Sequence, residues 1–201
     1  MSEEEAREWL VRQFGPASLD RLMTFVDLLV DEAARQNLIA PSTIPVIWAR
    51  HIVDSAQLAA FSTGDGLWLD IGSGGGLPGI VLALLIERPF LLCEPRKLRA
   101  AFLDHAVSTL GLTGRVTVAA CKVEALQVRA ATITARAVTG VDLLVKAARG
   151  CADRDTVWIL PRGQSGAIEI EASVMLSSAV FHVEPSVTDP SAGILIARGI
   201  S

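Results

Sequence analysis

Leu67-Trp68-Leu69-Asp70-Ile71 runs directly into Gly72-Ser73-Gly74-Gly75-Gly76-Leu77-Pro78-Gly79-Ile80. The first five residues read as a short, mostly apolar strand. Five glycines then fall within eight residues, and a helix is predicted over 78–86. A strand that ends in a glycine loop opening a helix sets that loop at the carboxyl edge of an α/β sheet, where such folds bind ligands. Glycine supports the tight turn and lets a ligand reach the backbone without meeting a Cβ.

The pattern continues outward from the loop. Strands are predicted at 90–93, 116–120, 132–135 and 156–160, with helices over 96–110 and 141–149. Short apolar strands alternating with helices make a mostly parallel sheet covered on both faces. Residues 179–183 and 193–197 alternate without a long helix between them, as an antiparallel hairpin at the sheet edge would, which brings the count to seven strands. Upstream, residues 3–13 form a short charged helix. From Ser18 to Arg35, Leu19, Leu22, Met23, Val26, Leu29 and Val30 share one face, with Ser18 as N-cap. A third helix starts near Ser42 or Thr43 and runs to about Phe61, with Pro45 in its first turn. The expected organisation is one domain over 1–201: an N-terminal helical cap, 1–62, on an α/β core, 63–201.

Composition narrows the class. The chain has 201 residues, 51% hydrophobic and 20% charged, which is globular. The N-terminus is acidic where a secretory signal would be basic. The longest apolar stretch, Leu77–Ile86, is about half a membrane span, so a soluble, cytoplasmic protein is expected. Cys93, Cys121 and Cys151 are scattered without metal-ligand spacing, so no metal is expected and reduced thiols are. The net charge is −4, and residues 1–35 hold eight acids against four bases. That is not the basic footprint of a protein that grips nucleic acid by charge alone.

Two ligand classes use glycine loops of this kind. A dinucleotide site asks for G-x-G-x-x-G with a pyrophosphate on the helix N-terminus. Here the third glycine comes one place early, at Gly76, Leu77 takes the dinucleotide glycine's place, and Asp70 would repel a pyrophosphate. A ligand with an amine and a sulfonium would favour that carboxylate. Glu94, eighteen residues after Gly76 at the end of the second strand, stands where a carboxylate takes both hydroxyls of a ribose. S-adenosyl-L-methionine meets both conditions. A ligand-free turn and a nicotinamide site are the weaker readings of the same loop.

Several segments then resemble one family, the RsmG (GidB) 16S ribosomal RNA guanine-N7 methyltransferases. Gly72–Ile80 is similar to the family's G-[ST]-G-x-G-x-P-G-[IV], Asn37-Leu38-Ile39-Ala40 to N-L-T-A, and Arg50-His51-Ile52-Val53-Asp54-Ser55 to R-H-[IL]-x-D-S. Glu94–Leu103 resembles acid-S-x-x-(K/R)-(K/R)-x-x-F-L, while Val123-Glu124 and Ala135-Arg136-Ala137 resemble V-E and S-R-A. The matches keep chain order over about residues 37–163. Two departures stand out: L-K-G becomes Leu160-Pro161-Arg162-Gly163, and the usual basic C-terminal ending is missing.

The resemblance implies a Rossmann-like class I S-adenosylmethionine-dependent methyltransferase fold. It also implies methylation at N7 of one guanine, guanine 527, in the 530 loop of 16S ribosomal RNA, with the RNA or a small ribosomal subunit particle as partner and the enzyme a monomer. Cofactor contacts are expected from Asp70, Gly72, Gly74, Gly76, Leu77, Glu94, Val123, Glu124 and Arg136. RNA contacts are expected from Arg50, His51, Asp54, Arg96, Lys97, Arg99 and Arg162. Arg50 and Asp54, at i and i+4, can also form a surface ion pair. Arg96, Lys97 and Arg99 sit at the helix end that disfavours cations, which a phosphate would relieve. No general acid or base stands out, and N7, which carries no proton, needs none. The rival readings are a methyltransferase for a small molecule or protein, and a ribosome-binding assembly factor with a vestigial cofactor site.

Overall fold

A computed structural model describes residues 1–136, 140–163, 173, 176 and 179–200. Seven strands make one sheet: β1 (Trp68–Ile71), β2 (Phe90–Cys93), β3 (Val116–Ala119), β4 (Thr132–Ala135), β5 (Val157–Arg162), β6 (Val180–Pro185) and β7 (Gly193–Arg198). Their order is β3-β2-β1-β4-β5-β7-β6. The first five are parallel, and β7 runs antiparallel to both β5 and β6. The expected mostly parallel sheet with an antiparallel edge is present. The chain moves outward from β1 in both directions, so the crevice between the ends of β1 and β4 is a topological switch point.

Each central strand is buried on both faces, and period-2 alternation divides its side chains between two cores. Trp68, Phe90, Leu92 and Ile159 pack with the N-terminal helices and with α4 (Gly79–Leu85) and α5 (Lys97–Thr109). Leu69, Ile71, Leu91, Ile133 and Leu160 pack on the other face with α6 (Val141–Ala147). Trp68 stacks on Phe90 with ring centroids 5.5 Å apart. Among the described residues, no helix is long and apolar enough to cross a membrane.

The N-terminal region is helical but departs from expectation in two places. Helix α1 (Glu3–Phe14) carries a capping box, with Ser2 Oγ accepting from the Glu5 amide and Glu5 accepting from the Ser2 amide. Helix α2 (Ala17–Ala33) starts one residue before Ser18, with Pro16 at the N-cap. Ser18 is not its cap; its hydroxyl donates to the Gly15 carbonyl at 2.7 Å. The expected single helix at 42–61 is instead four joined pieces: a 3-10 turn (Pro41–Val46), a π-helical turn (Trp48–Val53), α3 (Asp54–Ala56) and a second 3-10 turn (Gln57–Phe61). Pro45 has no amide hydrogen to give an α-helical ladder, which accounts for the tight opening turn. π turns concentrate at functional sites, and this one carries Arg50 and His51.

Strand β5 also continues through Pro161 to Arg162, beyond the expected end at Leu160. Its pairing with β4 stops at Ile159, so Pro161 lies where β7 is the neighbouring strand and the missing amide costs little.

Glu3 ties the first helix to the π turn. Its two carboxylate oxygens accept from the Trp48 and Ala49 amides at 3.0 and 2.9 Å, satisfying donors at the opening of that turn. Glu3→Ala should lower unfolding free energy by about 1–2 kcal/mol. Chemical denaturation checks this; an unchanged midpoint would mean that water replaces the carboxylate at no cost.

Candidate active site at the carboxyl edge of the sheet

The glycine loop is built around Asp70, which is 1% exposed. Its Oδ1 accepts from the Thr134 hydroxyl at 2.8 Å, and that hydroxyl accepts from the Trp68 indole N–H at 3.0 Å. Its Oδ2 accepts from the Gly79 amide at 3.2 Å, at the start of α4. A Cβ on Gly79 would lie 2.7 Å from that oxygen and 2.4 Å from Leu92 Cδ2, so only glycine permits the approach. Burial pushes the Asp70 pKa up to about 6, against the hydrogen bonds from Thr134, Ser73 and Gly79 and the charge of Arg136. Asp70 is thus a strut beneath the loop rather than a wall of the cleft.

The loop itself is fixed by backbone bonds. The Gly72 and Ser73 amides donate to the Cys93 carbonyl, and the Gly76 and Leu77 amides to the Ser73 carbonyl. Gly74 has φ +54°, while a Cβ there would meet nothing closer than 3.7 Å. Its requirement is therefore conformational. Glu94 locks the outer side: Oε2 accepts from the Gly74 amide at 3.0 Å and Oε1 from the Arg96 amide at 2.9 Å. A carboxylate has about four acceptor positions, so Glu94 keeps capacity for further donors.

Two cavities meet at this edge. The first, of about 390 Å³, is lined by Gly72, Glu94, Arg96, Arg99, Val123, Glu124 and Arg136, with Ile71, Cys93, Pro95, Lys122, Leu144 and Ala147 completing the wall. The second, of about 340 Å³, is lined by Arg50, His51, Asp54, Arg136 and Pro161–Gly163, and by Ser186 and Ala192–Ile194 of the β6–β7 connection. Arg136, at the end of β4, belongs to both. Both volumes fall in the range of small-ligand sites.

Around Arg136 the hydrogen bonds determine protonation states. Arg136 Nη1 lies 3.5 Å from Asp54 Oδ2, with side chains 19% and 17% exposed. Arg136 Nη2 lies 3.4 Å from His51 Nδ1. Arginine only donates, so Nδ1 is the accepting nitrogen and Nε2 carries the hydrogen. Nε2 donates to Thr43 Oγ1 at 2.7 Å, and that hydroxyl passes its own hydrogen to the Ala40 carbonyl at 2.7 Å. Burial, with the charges of Arg136 and Arg50, lowers the His51 pKa to about 4. The imidazole is neutral near pH 7, with Nδ1 facing the Arg136 guanidinium. Burial also lowers the Arg136 pKa, opposed by Asp54 and Asp70. Asp54 Oδ1 accepts from Gln57 at 3.1 Å and from Thr188 at 3.0 Å.

The residues singled out in the sequence distribute unevenly over this geometry. Gly72, Glu94, Val123, Glu124 and Arg136 line the first cavity. Gly74 and Gly76 shape the loop behind it, and Leu77 is 5% exposed in the core instead of on the wall. Arg50, His51, Asp54 and Arg162 line the second cavity, as a group. Arg50 does not take Asp54 as its partner; Arg136, reaching in from β4 where water is scarcer, does. Arg96 and Arg99 border the first cavity, Arg99 also donating to the Asn37 carbonyl at 2.8 Å, while Lys97 is exposed beside them. Ala137 lies outside the described residues. Sequence reasoning missed Thr43, Gln57, Ser186 and Thr188, which buttress the second cavity. Isolated polar residues, two in helical turns and two in the β6–β7 connection, carry no periodic signal.

A family model described as GidB, rRNA small subunit methyltransferase G, matches residues 18–188. A protein of Sphingopyxis alaskensis named "Ribosomal RNA small subunit methyltransferase G" is 46% identical over 98% of this chain and 86% of its own length. One of Novosphingobium aromaticivorans with the same name is 42% identical over 98% and 89%. Among solved structures, a methyltransferase from Geobacter sulfurreducens superposes with TM-score 0.59 at 14% identity, covering 89% of each chain. That likeness is one of fold: a Rossmann-like class I methyltransferase sheet.

The His51 assignment predicts a pH response. Its pKa in the fold lies below its ordinary value of 6.5, so its contribution to stability is complete above about pH 6.5 and is lost as pH falls towards 4. Nitrogen-15 shifts should show a neutral ring protonated at Nε2 at pH 6.5, with a midpoint near 4. A midpoint above 6 would contradict the arrangement around Arg136.

Proposed function

The chain belongs to the rRNA small subunit methyltransferase G family, and from that premise we propose that it transfers a methyl group from S-adenosylmethionine to N7 of one guanine, guanine 527 in the 530 loop of 16S ribosomal RNA. The observation that carries this reading is the pair of cavities joined at Arg136, one floored by the glycine loop and Glu94, the other walled by arginines.

The residues of the first cavity fit the cofactor. Glu94 has acceptor capacity left for ribose hydroxyls, Val123 offers a buried apolar side chain for an adenine face, and Gly72 brings bare backbone to the wall. When bound, adenosylmethionine supplies an electrophilic methyl group. The chain's own work is positioning. Glu94 and the loop hold one reactant, and the second cavity holds the other in line with it, which lowers the entropic part of the barrier. N7 of guanine has an in-plane lone pair and no proton to lose. A site whose histidine is neutral and whose histidine lone pair is occupied suits that acceptor.

A single-stranded loop can splay a base into a cavity of this size, whereas the deep, narrow major groove of A-form RNA hides N7. Arg50, Arg136 and Arg162 face the acceptor side, and Arg96 and Lys97 lie at the mouth of the cofactor side. The whole chain is nonetheless acidic, with a pI near 5.4, so phosphate contacts are few. Recognition then draws on loop shape and on the surrounding particle.

Two measurements test the reading. Calorimetry should show adenosylmethionine binding that Glu94→Ala weakens by about 2 kcal/mol, since charge-assisted hydrogen bonds are lost; unchanged affinity would remove Glu94 from the site. Borohydride and aniline cleave RNA at N7-methylguanine. Ribosomal RNA from cells lacking the protein should lose cleavage in the 530 loop, and labelled methyl transfer should be faster on small-subunit particles than on a short hairpin. Full cleavage in the deletion strain would rule the substrate out.

A further inference from the structure

We propose that Asp54 is the residue that selects guanine in the second cavity, the acceptor position left on its Oδ2 taking a hydrogen from the N2 amine of the base. The inference rests on the reading above, that the acceptor is a guanine, and names what distinguishes it from other bases.

The lining of the cavity is lopsided. Arg50, Arg136 and Arg162 are donors only, His51 presents an occupied lone pair, and Asp54 is the one carboxylate among the described lining residues. The two oxygens of Asp54 differ. Oδ1 is saturated by Gln57 at 3.1 Å and Thr188 at 3.0 Å. Oδ2 meets Arg136 at 3.5 Å, the outer limit of a hydrogen bond, and has acceptor capacity in reserve. An under-used carboxylate oxygen in a part-buried cavity favours a ligand edge rich in donors.

Guanine has such an edge. N1–H and the N2 amine point the same way, O6 beside them is an acceptor suited to an arginine, and N7 lies across the ring. Holding the base by its N2 amine therefore leaves N7 uncovered. Adenine presents an acceptor at N1 and a C–H at C2, so it would set a lone pair against the carboxylate. Uracil presents one N–H. An arginine beside a carboxylate oxygen thus sets a donor towards O6 and an acceptor towards the N2 amine of guanine. A site built to bond such groups rejects an analogue that lacks them, because its own buried polar atom is left unmet.

The test pairs a protein change with a base change. Small-subunit particles are assembled with ligated ribosomal RNA carrying either guanine or inosine, which lacks the N2 amine, at the target position. The wild-type protein should methylate the guanine particle faster by about tenfold or more in single-turnover kcat/KM. In Asp54→Asn, Oδ1 keeps Gln57 and Thr188, which turns the amide nitrogen towards the ligand, donor against donor. That variant should lose most activity on guanine and its guanine-to-inosine ratio should fall to about twofold or less, with cofactor binding still measurable by calorimetry. A preference that persists in Asp54→Asn overturns the assignment. So does a wild-type protein indifferent to the N2 amine, an arm that needs no variant to fold. No transfer by wild type to the guanine particle would instead sink the broader reading.

Discussion

The site depends on a carboxylate held where water does not reach. Asp70, one residue before the end of β1, lies inside the core, and its charge is balanced by three local features: the Thr134 hydroxyl across the β1–β4 ladder, the Gly79 amide, and the positive end of the short helix that amide begins. Each of these sets a geometric condition. The Thr134 bond aligns β1 with β4, at the point where the sheet reverses its order. The Gly79 bond requires a glycine and brings α4 close under the loop. Residues 72–78 must then turn within the span left between these two anchors, which leads to the left-handed conformation at Gly72, Gly74 and Gly76. Burial raises the Asp70 pKa to about 6, so ionising it near neutrality costs stability. The interaction specifies a shape at some expense to the fold.

A part-buried ion pair performs a comparable task for the other cavity. Asp54 gathers Arg136 from β4, Gln57 from the neighbouring helical turn and Thr188 from the β6–β7 connection. Gln57 extends the link, donating to Ser186 Oγ at 3.1 Å and accepting from the Val187 amide at 2.9 Å. Segments 129 to 134 residues apart in sequence thereby close on one space. The tie of Glu3 to the π turn reaches the same place from the amino terminus. Removing one partner of such a part-buried pair leaves the other charge poorly satisfied, which is the costly case.

Much of this was legible from residues 67–80. The glycines after a short strand, with Glu94 after them, located the carboxyl-edge cleft, and strand alternation reproduced the ends of β2 and β4 to the residue. Asp70 was read as a ligand contact because sequence shows a carboxylate's position in a motif but not its depth; its burial depends on Thr134, sixty-four residues away. Leu77 is buried as well, a depth the motif does not show. The Arg50–Asp54 pairing followed a sound local rule that a more desolvated competitor overrode. The broken helix at 41–61 was invisible because its apolar periodicity does not separate α from π or 3-10 turns. Thr43, Gln57 and Thr188 matter only through bonds that folding creates.

Arg136 forms part of the wall between the two cavities, and a wall made of a charged side chain transmits. A positive group entering on one side raises the cost of keeping the guanidinium nearby, and an anionic group on the other side lowers it. Whatever free energy one occupant contributes to the affinity of the other must be returned in equal measure, since such linkage is reciprocal. Occupants that touch different residues of the two cavities are therefore coupled thermodynamically through a single shared cation.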